Sequence, residues 1–96
     1  MTEANFEKYA NTRIRNLGGR SYKWVSPGVA GVPDRIVIFP QGRIAFIEFK
    51  KPERKNGMSG RQKKIAHTLI SLGCLFYKIS STEELNKMLE DFGYAI

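Results

Sequence analysis

Three residues in the middle of this chain, Asp34, Glu48 and Lys50, are of the types that bind divalent cations and stabilise negative charge. They sit in two β-rich runs, 34–39 and 43–50. Between the runs, Pro40-Gln41-Gly42 reads as a hairpin loop with glycine in the last place. With the loop centred on Gln41, Asp34 faces Glu48 directly, and directly opposed residues have Cβ atoms roughly 4.5–5.5 Å apart on one face. Lys50, two residues beyond Glu48, points to that face as well. Two adjacent carboxylates repel unless a proton or a cation lies between them. Magnesium suits the position, because it takes oxygen ligands, needs only one or two carboxylates and leaves its other positions to water and phosphate. The backbone carbonyl of Phe49 would offer a further oxygen. A cation there would acidify a water and polarise a phosphoryl oxygen, and the Lys50 ammonium would stabilise the charge that develops. This is the equipment that phosphodiester hydrolysis requires.

Taken singly, each residue has a plainer explanation: Asp34 after Pro33 as a turn residue, Glu48 and Lys50 as a solvated strand face. Together they resist it. Ile36, Ile38, Ile44 and Phe46 share their face, and a charge that extends an apolar surface needs a partner.

The flanking segments must position this hairpin. Phe6, Ala10, Ile14 and Leu17 recur at helical spacing, so residues 3–17 read as a helix ended by Gly18-Gly19. Residues 21–26 look like a strand, and 27–33, with two Gly and two Pro, like a loop. Residues 51–58 are polar and basic and read as a loop. Ser59 caps a helix to Leu72, with Gly73 as its stop. Residues 74–79 form a short apolar strand. Ser81 with Glu84 is a capping-box pattern opening a last helix to about Asp91. The predicted fold is a single α/β domain over 1–96, in the order αβββαβα, with a mixed, mostly antiparallel sheet flanked by helices. So short a chain has a modest core, and oligomerisation is a natural supplement.

Sixteen Lys and Arg against nine Asp and Glu give a net charge of +7, which points to a polyanionic partner, nucleic acid first. The basic residues crowd from Lys50 to Lys64. Lys51, Arg54, Lys55, Arg61, Lys63 and Lys64 read as phosphate contacts beside the catalytic strand, against a plainer reading as a solvated loop and helix start. Tyr22, Trp24 and Tyr77, in alternating strands, read as core rather than base-stacking residues. His67 reads as a surface or packing residue, and with no His/Cys cluster a zinc site is not supported. Cys74 is the only cysteine, so no internal disulfide is possible. It reads as a buried thiol, and a reducing, intracellular setting is expected. No apolar stretch approaches membrane-spanning length, and the acidic N-terminus lacks a signal-peptide core.

Pro33-Asp34 followed by Glu48-Phe49-Lys50 is the PD-(D/E)XK nuclease pattern. The wider set is more specific: Gly31-Val32-Pro33-Asp34-Arg35, Phe46-Ile47-Glu48-Phe49-Lys50, Pro52, Met58-Ser59 followed by Gln62, and Leu69 with Gly73. Over nearly its whole length the chain resembles the VRR-NUC family, the virus-type replication–repair nuclease branch of that superfamily. The resemblance implies a restriction-endonuclease-like fold with Asp34 and Glu48 as metal ligands, aided by the Phe49 carbonyl, and Lys50 as the catalytic lysine. It places Gln62, in the first turn of the second long helix, beside the site. It also implies an N-terminal-helix glutamate in the cluster, for which Glu3 and Glu7 both fit and Glu3 is slightly favoured by its spacing to Phe6. Mg2+ is the implied cofactor, with Mn2+ able to substitute. Single-domain proteins of this type, typical of phages and bacteria, resemble homodimers that cut branched DNA such as four-way junctions, and a dyad would present two sites to a roughly symmetric substrate. Two rival readings are a non-catalytic DNA-binding module and a restriction-type enzyme that reads sequence.

Overall fold

The computed structural model describes residues 2–50 and 57–96. Helix α1 (Glu3–Asn16) begins at Thr2, whose hydroxyl accepts from the Asn5 N–H. Strands β1 (Arg20–Lys23), β2 (Arg35–Phe39) and β3 (Arg43–Phe49) follow, then α2 (Gly60–Ser71), β4 (Leu75–Ile79) and α3 (Thr82–Asp91). The order is the αβββαβα expected. The sheet runs β1-β2-β3-β4, antiparallel except for the last pair. Helix α2 makes the crossover that a parallel pair requires.

The central hairpin has the predicted register. Arg35 faces Ile47 and Ile38 faces Ile44, the pairing that a loop centred on Gln41 demands. A single 3-10 turn, Pro40–Gly42, connects the strands, with Gln41 and Gly42 both at positive φ.

Alternation along these strands makes two apolar faces, and they are not equally covered. Val37, Phe39, Ala45, Ile47 and Phe49 are buried beneath α1 and α3, against Ala10, Ile14, Leu85, Met88, Leu89 and Phe92. This is the main core. The opposite face carries Ile36, Ile38, Ile44 and Phe46 beside α2, and Ile38 and Ile44 remain exposed. The apolar surface that Glu48 extends is therefore the shallower one.

Several local expectations need correcting. Strand β1 ends at Lys23 rather than residue 26, although Trp24 still donates its N–H to the Asp34 carbonyl at 2.9 Å. Tyr22 is not core: it is 57% exposed, on the outermost strand. Trp24 is half-buried against Phe46, and Tyr77 packs on the core with its hydroxyl donating to Asp91. Cys74 is only half-buried. At α3, Ser81 caps the Glu84 N–H as expected, but the Glu84 carboxylate turns to the Ser80 N–H and hydroxyl instead of closing a reciprocal box. Lys51, Arg54 and Lys55 lie outside the described residues. Among the described residues no helix is long and apolar enough to cross a membrane.

The loop between β1 and β2 delivers Pro33 and Asp34, and its placement depends on Gly31. That residue has φ +92°, and a Cβ there would lie 2.7 Å from the Arg61 carbonyl carbon and oxygen in the first turn of α2. A side chain meets both strain and backbone at this point. Gly31→Ala is expected to destabilise the fold by about 2–3 kcal/mol. Gly28→Ala, where nothing lies within 4 Å, should be near neutral. Equal melting temperatures for the two variants would refute this dependence.

Candidate active site

Asp34 is fixed by both neighbours of its strand. Its carbonyl accepts from Trp24, and its Oδ2 accepts from the Phe49 N–H at 2.9 Å. The carboxylate therefore lies across the end of β3, beside Glu48. Glu48 is the one buried charged residue among the described positions, with 2% of its surface exposed. A carboxylate so placed needs partners. The Gln62 Nε2 donates to its Oε1 at 2.8 Å, and the Lys50 Nζ lies 3.6 Å from the same oxygen.

Gln62 owes its aim to helix capping. Ser59 caps α2, its hydroxyl accepting from the Gln62 N–H, while the Gln62 Oε1 accepts from the Ser59 N–H at 2.9 Å. With the amide oxygen committed to the cap, the amide nitrogen is left to face Glu48. The capping box thus starts the helix and orients a site residue. Its Ser-x-x-Gln spacing is legible in the sequence, but its link to Glu48 is not.

The electrostatics follow from this crowding. Burial first, and the neighbouring Asp34 second, raise the Glu48 carboxyl to about 7, although Lys50 pulls the other way. The protein thus pushes two acids together and lets one keep a proton near neutrality. The donor set is oxygen-rich and anionic, which fits a hard divalent cation. Asp34 and Glu48 are the residues that would hold such an ion.

An acid from α1 was expected to complete the cluster. Among the described residues no three His, Cys, Asp or Glu side chains form a group that could hold a metal, so neither Glu3 nor Glu7 is grouped with Asp34 and Glu48. Glu7 does sense the site. Its carboxyl is raised by burial, then by Asp34 and Glu3. Arg61, Lys63 and Lys64 are exposed on α2, as is His67.

No protein-family model matches the chain. A curated relative, "Putative nuclease p44" of Acyrthosiphon pisum secondary endosymbiont phage 1, is 49% identical over 55 residues, which is 57% of this chain. The match spans 59% of that relative's own length. A solved structure described as "VRR_NUC domain" is 30% identical and superposes with a TM-score of 0.84, covering 94% of this chain and 96% of its own.

The raised Glu48 carboxyl has a consequence for stability. Between its ordinary value of 4.5 and about 7, the folded protein holds a proton that the unfolded chain releases. Stability from this group therefore falls as pH rises through that window and levels off above it. In metal-free buffer, Glu48→Gln is expected to melt several degrees above the parent at pH 8, by a few kcal/mol at most. The gain should vanish near pH 4.5. A variant no more stable than the parent at pH 8 would count against the buried, proton-holding acid.

Proposed function

The chain belongs to the VRR-NUC family, and on that premise we propose that it is a magnesium-dependent DNA endonuclease acting at Asp34, Glu48 and Lys50. The observation that carries the reading is the buried Glu48, set beside Asp34 and within 3.6 Å of the Lys50 ammonium. An acid this desolvated beside a second acid costs stability, and a fold keeps such a pair where a cation is to be held. Mg2+, or Mn2+ in its place, would supply charge neutralisation and Lewis acidity to the scissile phosphate. The Phe49 carbonyl is assigned as a further ligand.

The chain's own residues have separable tasks. The Phe49 N–H holds the Asp34 carboxylate in one orientation, and Gln62 does the same for Glu48. Little rearrangement is then needed when substrate arrives, which is where positioned groups gain over solvent. Lys50, with only 11% of its side chain exposed, keeps a largely desolvated ammonium beside the acids. It stabilises negative charge on the attacking water or on the phosphate as the bond to the leaving oxygen breaks. Glu7, whose carboxyl is raised by burial and then by Asp34, is assigned a supporting role as the N-terminal-helix glutamate. Arg61, Lys63 and Lys64 are assigned to phosphate positioning, together with Lys51, Arg54 and Lys55.

The assigned substrate is branched DNA, cut by a homodimer. Support for self-association comes from Tyr22, Ile38 and Ile44, large apolar side chains exposed on the less covered face of the sheet. A two-fold pair of sites matches the approximate symmetry of a four-way junction.

Incubation with junction, flap and linear duplex DNA in magnesium tests the proposal. Lys50→Ala is expected to lower kcat by about 10²–10³ while leaving DNA affinity within a few-fold. The junction should be cut faster than the linear duplex. Equal cleavage by parent and variant would remove the assigned chemistry.

A further inference from the structure

A second surface, away from α2 and its lysines, has the chemistry of a phosphate-binding groove. A cavity of about 580 Å³ lies between α1 and the free edge of β1. Lys8 and Arg15 of α1, Arg20 of β1 and Arg35 of β2 line it, with Glu7 as the one carboxylate on its wall. Among the described residues none of these four cations is in an ion pair. Glu7 offsets part of this charge, Arg35's first, and the groove keeps an excess of positive charge that favours an anion.

Neutral donors line the same groove. Ser21 is on its wall, and the Ser21 Oγ is buried without a hydrogen-bond partner. Because the Trp24 N–H bonds to β2, alternation turns the Tyr22 and Arg20 N–H groups to β2 as well, and the Ser21 N–H outward along the open edge. Asn11, also on the wall, carries the other partnerless buried side-chain oxygen among the described residues, an acceptor that is not itself a phosphate contact. Cations with hydroxyl and backbone N–H donors are the usual phosphate contacts.

Position decides which phosphates these are. Arg35 on the groove wall directly follows Asp34 in the chain, so the groove adjoins the acids at the start of β2, and Glu7 lies on the same wall. Arg15 lies eight residues further along α1, about 12 Å at the helical rise. At about 3.4 Å of duplex axis per phosphate on one strand, that length accommodates roughly three phosphates. The groove therefore leads away from the site along a path of the dimensions of a DNA strand.

We infer that the α1–β1 groove binds the sugar–phosphate backbone of the substrate strand next to the cut, with Lys8, Arg15 and Arg20 as its charged contacts. The inference rests on the nuclease reading of the neighbouring site. On this assignment DNA is held from two sides, by α2 and by the β1 edge, with the acids between.

The test is fluorescence anisotropy of a labelled junction without divalent metal, across a series of KCl concentrations. It is run on the full chain and on Arg15→Gln/Arg20→Gln, with cleavage kinetics in magnesium alongside. Removing two phosphate contacts should reduce the slope of log K against log[KCl] by about 1.8. KM should rise while kcat holds. If the double variant fails to fold, Lys8→Gln, at an exposed helix position, repeats the measurement with an expected change of about 0.9. An unchanged slope and affinity would overturn the groove, as would a fall in kcat with the slope intact. Failure of the parent protein to cleave, with the slope still altered in the variant, would remove the nuclease reading and leave the groove standing.

Discussion

The Glu48 carboxylate is taken out of water and set against Asp34, an arrangement that is unfavourable as long as both acids are ionised and nothing lies between them. Much of the surrounding architecture limits that cost or prepares for its relief. The β2–β3 register brings the acids together. The Phe49 N–H and the Gln62 amide each occupy one carboxylate oxygen. The Lys50 ammonium adds attraction without neutralising the pair. On the proposed reading, a divalent ion is the partner that would relieve such a pair.

The same interactions tie the site to the rest of the fold. Gln62 joins the start of α2 to Glu48 through the capping box. Gly31 lets the Pro33-Asp34 loop close against that first turn. Asp34 is bonded on one side to Trp24, just past β1, and on the other to Phe49 of β3. A shift of α2, of the loop or of the hairpin would misplace an acid, so packing and chemistry are under one constraint. The buried face that supports this, from Val37 to Phe49, is packed beneath α1 and α3. The face around Ile38 and Ile44 is less covered.

Much of this was legible beforehand, for identifiable reasons. A three-residue loop with Gly42 in the last place allows few hairpin registers, so the pairing of Asp34 with Glu48 followed from chain geometry. Gly73 and Ser59 marked the ends of α2 because caps are local chemistry. Other features depended on tertiary placement. With two apolar faces, alternation could not say that Val37 and Ala45 lie deep while Ile38 and Ile44 stay exposed. Glu3 and Glu7 share a helix face, and spacing alone could not show that Asp34 acts on the Glu7 carboxyl. Lys8, Arg15, Arg20 and Arg35 lie on three elements, and nothing in their separation announces that they line one groove. The basic residues from Lys50 to Lys64, by contrast, are close together in the sequence.

Proton release on metal binding tests the central claim most directly, because an ion that enters between Asp34 and Glu48 must expel the proton that Glu48 holds. Calorimetric titration of magnesium in buffers of different ionisation enthalpy measures it. With the carboxyl at about 7, nearly one proton should be released per ion at about pH 6 and almost none at about pH 8.5. Binding should be lost in Asp34→Asn. Release that is independent of pH, or binding that survives in the variant, would place the ion elsewhere and contradict the account.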